Sequence, residues 1–213
     1  MLFSVCAYSQ ELLIKKINSE FEKIVIDLGR VDHVELYNSD SGSEIVVKSE
    51  GLNDSVSYQL TESNGHVLLQ DIQFLDEESA FDKDKACSEL PYFPSYKIFI
   101  PENRVVYLSL MEGNLYAEGF KGELNVKVED GILKLQDMKD AVKVQLNTGS
   151  IFVQQIKNTR IDAETNRGIL VSNISQRVIE SPMKQMQQNV GEPKNEMWIR
   201  AILANIYLYE SQD

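Results

Sequence analysis

The chain has 213 residues, 43% of them apolar, with 33 acidic against 21 basic side chains and a formal net charge of −12. That apolar share excludes a disordered chain and permits one sizeable core. The acidic surface, with no Lys/Arg cluster to offset it, argues against nucleic acid or an anionic membrane as partner, and no apolar run reaches the roughly 20 residues of a transmembrane segment.

The N-terminus reads Val5-Cys6-Ala7-Tyr8-Ser9-Gln10 after a short apolar start. Small residues at Ala7 and Ser9 behind an apolar stretch fit the end of a secretory signal. Residues 1–9 are therefore expected to be a signal remnant, and 10–213 a single domain. Cys87 would then be the one remaining thiol, which leaves neither a disulfide framework nor a thiolate metal cluster.

Gln10 to Glu22 is a mixed segment, an opening strand or a helical turn. From Phe21 the period becomes two: Ile24, Ile26 and Leu28 point one way, Val25 and Asp27 the other, and Val34 and Leu36 continue the pattern. Further strands follow at Ile45/Val47, Val56/Tyr58/Leu60 and Val67/Leu69, separated by the turn clusters Ser39–Gly42, Gly51–Asp54 and Thr61–Gly65. Short strands with turns at this spacing predict an all-β domain.

Residues 73–95 break the rhythm, first charged and then proline-aromatic at Pro91-Tyr92-Phe93-Pro94. Long excursions of this kind carry function in compact domains. Phe81, Tyr92, Phe93 and Tyr96 are therefore the expected ligand-contact residues, since exposed aromatics mark binding surfaces.

A strand at Tyr96–Ile100 ends at Pro101, and then an 18-residue repeat begins, with glycines at Gly113, Gly131 and Gly149. Apolar residues recur seven, five and three before each glycine and two, four and seven after it. The first copy is Val106, Leu108, Leu110, then Leu115, Ala117, Phe120. A fourth copy is expected with a one-residue slip, Ile161, Ala163 and Thr165 being set from Gly168 but Ile169, Val171 and Ile174 from Arg167. A partial early copy starts at Gly65 with Val67, Leu69 and Ile72. One repeat cannot bury its apolar side alone; stacked copies pair each strand with its equivalent at ~4.8 Å and build one continuous core. The expected fold is a single-stranded parallel β-helix, a right-handed β-solenoid with coils of 18 residues. Residues 175–213 then form a C-terminal cap, with Trp198–Tyr209 a final coil or an edge-covering strand.

No phosphate loop, nucleophile elbow or cofactor motif is present in the sequence. His33 and His66 lack metal-ligand spacing and read as surface or turn histidines. Glu112 and Asp130 each precede a repeat glycine, so they fall on adjacent coils roughly 5 Å apart, the one candidate metal pair; Thr148 ends the row. Asn38–Glu44 has the composition of a calcium-loop fragment without its acidic spacing, and reads as a polar turn.

Phe21–Ile26, Val34-Glu35-Leu36, Ile45-Val46-Val47, Gly65–Leu69, Ile98-Phe99-Ile100-Pro101 and the glycine-led copies resemble the bacterial putative-adhesin β-helix family, which includes the head domain of putative autotransporter adhesins. The resemblance spans roughly Phe21 to Ile174 and supplies no catalytic residues. It implies an exported bacterial protein at the periplasm, outer membrane surface or exterior.

The leading expectation is a non-enzymatic, extracytoplasmic, adhesin-like or scaffold domain for a protein or glycan, needing no cofactor. The alternatives are a carbohydrate-active β-helix enzyme, which needs an acid cluster in a groove, and an envelope stress or signalling module.

Overall fold

The computed structural model describes residues 12–51, 56–73, 93–174 and 179–210. Residues 1–9, Cys87, and most of the 73–95 excursion, with Phe81 and Tyr92, lie outside the described residues.

Period-two alternation becomes strand nearly throughout. The N-terminal half holds β1 (Leu13–Asn18), β2 (Lys23–Asn38), β3 (Glu44–Glu50), β4 (Val56–Ser63), β5 (His66–Gln73) and β6 (Ser95–Ile100). The repeat holds β7 (Arg104–Glu118), β8 (Gly122–Gln136), β9 (Val142–Ile156), β10 (Thr159–Thr165) and β11 (Leu170–Ser172), followed by β12 (Ile179–Met183), β13 (Gln185–Val190) and β14 (Asn195–Glu210). They form one large, mostly parallel sheet with the order β1-β3-β6-β2-β7-β8-β9-β14-β10-β13 along its main path. No helix long and apolar enough to cross a membrane occurs among the described residues.

The repeat sets the register. Val106 pairs with Leu124 and Leu124 with Val142, so β7, β8 and β9 stack at an offset of 18 residues. Five inward rows run across six strands. One is Ile24-Val106-Leu124-Val142-Met197-Ile161, and another is Val34-Leu115-Leu133-Ile151-Ile206-Leu170. All of these residues are buried. Inward positions three before and two after each glycine are five residues apart, an odd spacing that a regular strand would send to opposite faces. The chain must therefore bend at the glycine row, where Gly113 and Gly149 take positive φ.

The C-terminal segment departs from expectation. β14 does not close the stack; it pairs in parallel with β9 on one side and with β10 and β11 on the other. Its own apolar spacing (Met197, Ile199, Ala201, then Ala204, Ile206, Leu208) matches that of a coil, so it fills the slot above β9. The fourth copy of the repeat lies one layer further out. The edge there is covered instead by β13, antiparallel to β10.

The slip in the fourth copy is also corrected in part. Leu170 and Ser172 are buried whereas Ile169 is 41% exposed, so these two positions keep their phase from Gly168, while Ile174, also buried, is set from Arg167 as expected. An inward serine disguised this phase; Ser172 is tolerated because its Oγ accepts a hydrogen bond from the Ile174 amide at 3.2 Å. In the early partial copy, Val67 and Leu69 lie beside Ile24 and Ile26 as expected, but Ile72 faces outward. The Gln10–Glu22 segment contains strand, β1, antiparallel to β3.

Candidate ligand-binding surface

Of the four aromatics read as a contact surface, Phe93 and Tyr96 are among the described residues. Tyr96 is fully buried and meets Tyr58 edge-on at 5.6 Å, because β6 turns it inward in phase with Ile98 and Ile100. It is a core residue, and its hydroxyl has no hydrogen-bond partner among the described residues. Phe93 is half-buried just before β6. Glu112 and Asp130 do pair on adjacent strands, with Thr148 next in the row. Glu112 however faces a cation of the protein itself, Arg30 Nε at 3.3 Å, on an exposed edge rather than in a cleft. No group of three or more potential metal-ligating residues assembles among the described residues. The Ser39–Glu44 turn is held by its own hydroxyls, Ser41 N donating to Ser39 Oγ and Glu44 N to Ser41 Oγ.

His33 has partners that its sequence neighbourhood only partly shows. Asp32 Oδ2 lies 2.8 Å from Nδ1 and Glu35 Oε1 3.4 Å from Nε2, and Ser95, from β6, brings Oγ to 3.3 Å of Nδ1. Asp32 occupies the nitrogen that Ser95 approaches, and the Ser95 hydroxyl itself donates to Asp32 at 3.4 Å. The cluster ties the β2 bulge to β6.

The outward positions carry more. Three residues after the glycine, the side chains Tyr116, Lys134 and Phe152 fall in register, and Glu35 and Tyr207 extend the row at either end. Phe152 stacks on Tyr207 at 4.7 Å and 7°, and Tyr37 on Phe99 at 5.4 Å and 22°. Lys134 Nζ lies 5.2 Å from the Tyr116 ring centroid. Between Tyr37, Tyr116 and Phe152 is a shallow pocket of about 160 Å³ walled also by Glu118, Gln136 and Gln154. Tyr37 Oη donates to Glu35 Oε2 at 2.7 Å. That carboxylate, with burial, pushes the phenol up to about 12. Burial alone would raise Glu35, but the Tyr37 hydroxyl and Lys97 outweigh it and hold the carboxyl below its ordinary value.

A second outward row lies on the other side of the bend, six residues before the glycine. Val25, Tyr107, Asn125, Lys143, Trp198 and Asp162 follow one another across the sheet. Glu123 accepts from both Lys143 at 3.0 Å and Asn125 at 3.2 Å, and these bonds lower its pKa.

The fold has a solved counterpart. A putative cell adhesion protein from Clostridium sporogenes ATCC 15579 superposes with a TM-score of 0.66 at 17% identity, over 95% of this chain and 100% of that one. A putative adhesin from Bacteroides fragilis NCTC 9343 gives a TM-score of 0.40 at 14% identity, over 94% and 98% of the two chains. No family model and no curated protein matches the chain. The first likeness establishes a shared fold.

The outward aromatics Tyr37, Tyr116, Phe152 and Tyr207 were not among the residues expected from sequence. Their signal was present: once the glycines align the copies, positions three and six away collect Tyr, Phe, Trp, Lys and Asn.

Proposed function

We propose that the chain is a non-enzymatic, extracytoplasmic binding domain of adhesin type, a β-solenoid of 18-residue coils whose outer face holds the ligand. The observation that carries this reading is the row Tyr116-Lys134-Phe152-Tyr207, with Tyr37 beside it. These are four aromatic rings and a lysine on a parallel sheet, and Tyr37, Tyr116, Lys134 and Phe152 line a pocket bearing the amides of Gln136 and Gln154. Such a surface offers apolar area at low entropic cost, because the strands pre-order the rings. The description of the solved counterpart as a putative cell adhesion protein points the same way. The signal-like residues 1–9 support export. The proposed solenoid is right-handed, because its apolar ladders do not keep the six-residue spacing of the left-handed variety.

The test is retention of cell-envelope fractions and surface glycans on the immobilised chain. Wild type is expected to retain a partner that Tyr116→Ala with Phe152→Ala loses by at least tenfold. Retention unchanged by the double substitution would sink the assignment of this face.

A further inference from the structure

The second outward face carries an inference of its own. Tyr107, on β7, and Trp198, on β14, both line a trough of about 450 Å³ that also reaches Val25 and Asp27 of β2. Two strands, β8 and β9, lie between them, so the aromatic walls are about 14 Å apart at ordinary strand spacing. The floor is polar: Asn125 and Lys143 in one row, and Ser109, Lys127 and Gln145 in the next. Each wall is braced by a cation on its ring. Lys23 Nζ is 4.8 Å from the Tyr107 centroid, and the Arg200 guanidinium 4.4 Å from that of Trp198.

We infer that this trough binds a short neutral oligosaccharide. The inference rests on the binding-domain reading but places a ligand on a different face. A sugar has two surfaces, an apolar ring face of C–H groups and a rim of hydroxyls that both donate and accept. The walls supply aromatic faces for the first. The floor supplies groups for the second: the side chains of Ser109 and Gln145 make no hydrogen bond to any described residue, and both can donate and accept. Charge decides against an acidic sugar. Three of the four cations at the trough already have an acid, Lys127 with Glu129 at 3.4 Å, Lys143 with Glu123 at 3.0 Å and Arg200 with Asp162 at 2.9 Å, and the fourth, Lys23, lies over the Tyr107 ring. Asp27 adds a further negative charge at the lining. The length of the trough selects an oligosaccharide over a single ring.

Trp198 is the chain's one tryptophan, so its emission reports this trough directly. The purified full chain is titrated with oligosaccharides derived from cellulose, chitin, mannan and galactan, with alginate oligosaccharides and a proline-rich peptide in parallel. A saturable change in emission with at least one neutral series is expected. Tyr107→Ala and, separately, Gln145→Ala should weaken it at least tenfold and threefold, with thermal midpoints confirming both variants folded. Ile169→Ala, at an exposed position outside both faces, should leave it within twofold of wild type. No saturable response to any neutral series, a response that survives Tyr107→Ala, or a preference for alginate or the peptide would each overturn the inference. Neutral-sugar binding lost in Tyr116→Ala but kept in Tyr107→Ala would overturn it while leaving the binding-domain reading in place.

Discussion

The carbonyl oxygen of Gly131 lies where a side chain on Gly149 would begin: a Cβ built on Gly149 would sit 1.9 Å from it. The two glycines are register partners at the bend, and Gly131 stands in the same relation to Gly113, at 1.8 Å. The clash is with backbone, which cannot swing aside as a side chain can, and Gly149 also has φ of +124°. Gly149→Ala is therefore expected to destabilise by roughly 2–5 kcal/mol, overpacking and backbone strain adding. Gly42, with nothing within 4 Å of an added Cβ and no positive φ, is the control. Gly42→Ala should change stability by less than about 1 kcal/mol. Urea unfolding midpoints of the two variants decide the matter, and equal midpoints would show that the row is not close-packed.

A second prediction concerns Thr165, an inward polar residue that is 1% exposed. Its Oγ1 donates to the Ala204 carbonyl at 2.7 Å and accepts from the Gly168 amide at 3.1 Å, joining the β10 turn to the middle of β14. Thr165→Val keeps the shape and removes the hydroxyl that serves both backbone groups, the Ala204 carbonyl in a buried site and the Gly168 amide in a half-buried one. The expected loss is about 1–3 kcal/mol. Thr165→Ser, which keeps the hydroxyl, should recover most of it in the same unfolding assay.

Much of the stack is visible in the chain because its period is fixed by packing. Val106, Leu124 and Val142 share one row, and so must their neighbours, so apolar spacing alone locates the core of β7, β8 and β9. The place of β14 is not visible in this way. Its pattern says it is a coil, but adjacency in sequence suggests it belongs last, whereas it pairs with β9 across 55 positions, Val142 with Met197. Ser172 hid the phase of the fourth copy because polarity was taken to mean an outward residue, and a local hydrogen bond overrides that rule. Tyr96 was misplaced for the converse reason: its aromatic neighbours in sequence suggested a surface, while strand parity with Ile98 puts it in the core. The outward aromatic rows are not visible in the same way because outward positions are under no packing constraint, so their pattern emerges only after the copies are aligned on their glycines.

The internal position of β14 gives a third prediction. Ile199 is fully buried between Val144 of β9 and Ala163 of β10. Ile199→Ala should cost about 2–5 kcal/mol, as a core cavity does. Ile202, on the same strand but 48% exposed at the bend, should tolerate alanine within about 0.5 kcal/mol. Amide hydrogen exchange adds a direct check. The amides around Ile199 should be as protected as those around Val144, whereas a loosely attached terminal strand would exchange early.

The Tyr37–Glu35 contact predicts how the aromatic face responds to pH. Glu35 has a lowered folded-state pKa, so its contribution to stability is present above the ordinary 4.5 and is lost as pH falls through the folded value. Tyr37 has the opposite sign. Its folded-state pKa is raised from 10.0 to about 12, so its contribution is fully present below pH 10 and is lost as pH rises through about 12. Both shifts share one hydrogen bond, so one substitution should move them together. Glu35→Gln removes the charge that opposes phenolate formation while keeping a possible acceptor, and Tyr37 should then ionise closer to 10. The measurement is a phenolate absorbance titration, with Tyr37→Phe subtracted to isolate this one ring among the chain's nine tyrosines. In acid, Glu35→Gln should flatten the fall of stability below about pH 4.5, because the group that must be protonated there is gone. A Tyr37 midpoint near 10 in the wild type, or one that does not move in Glu35→Gln, would mean that the hydrogen bond does not hold the ring in solution and that the pocket beside Tyr116 is not pre-ordered.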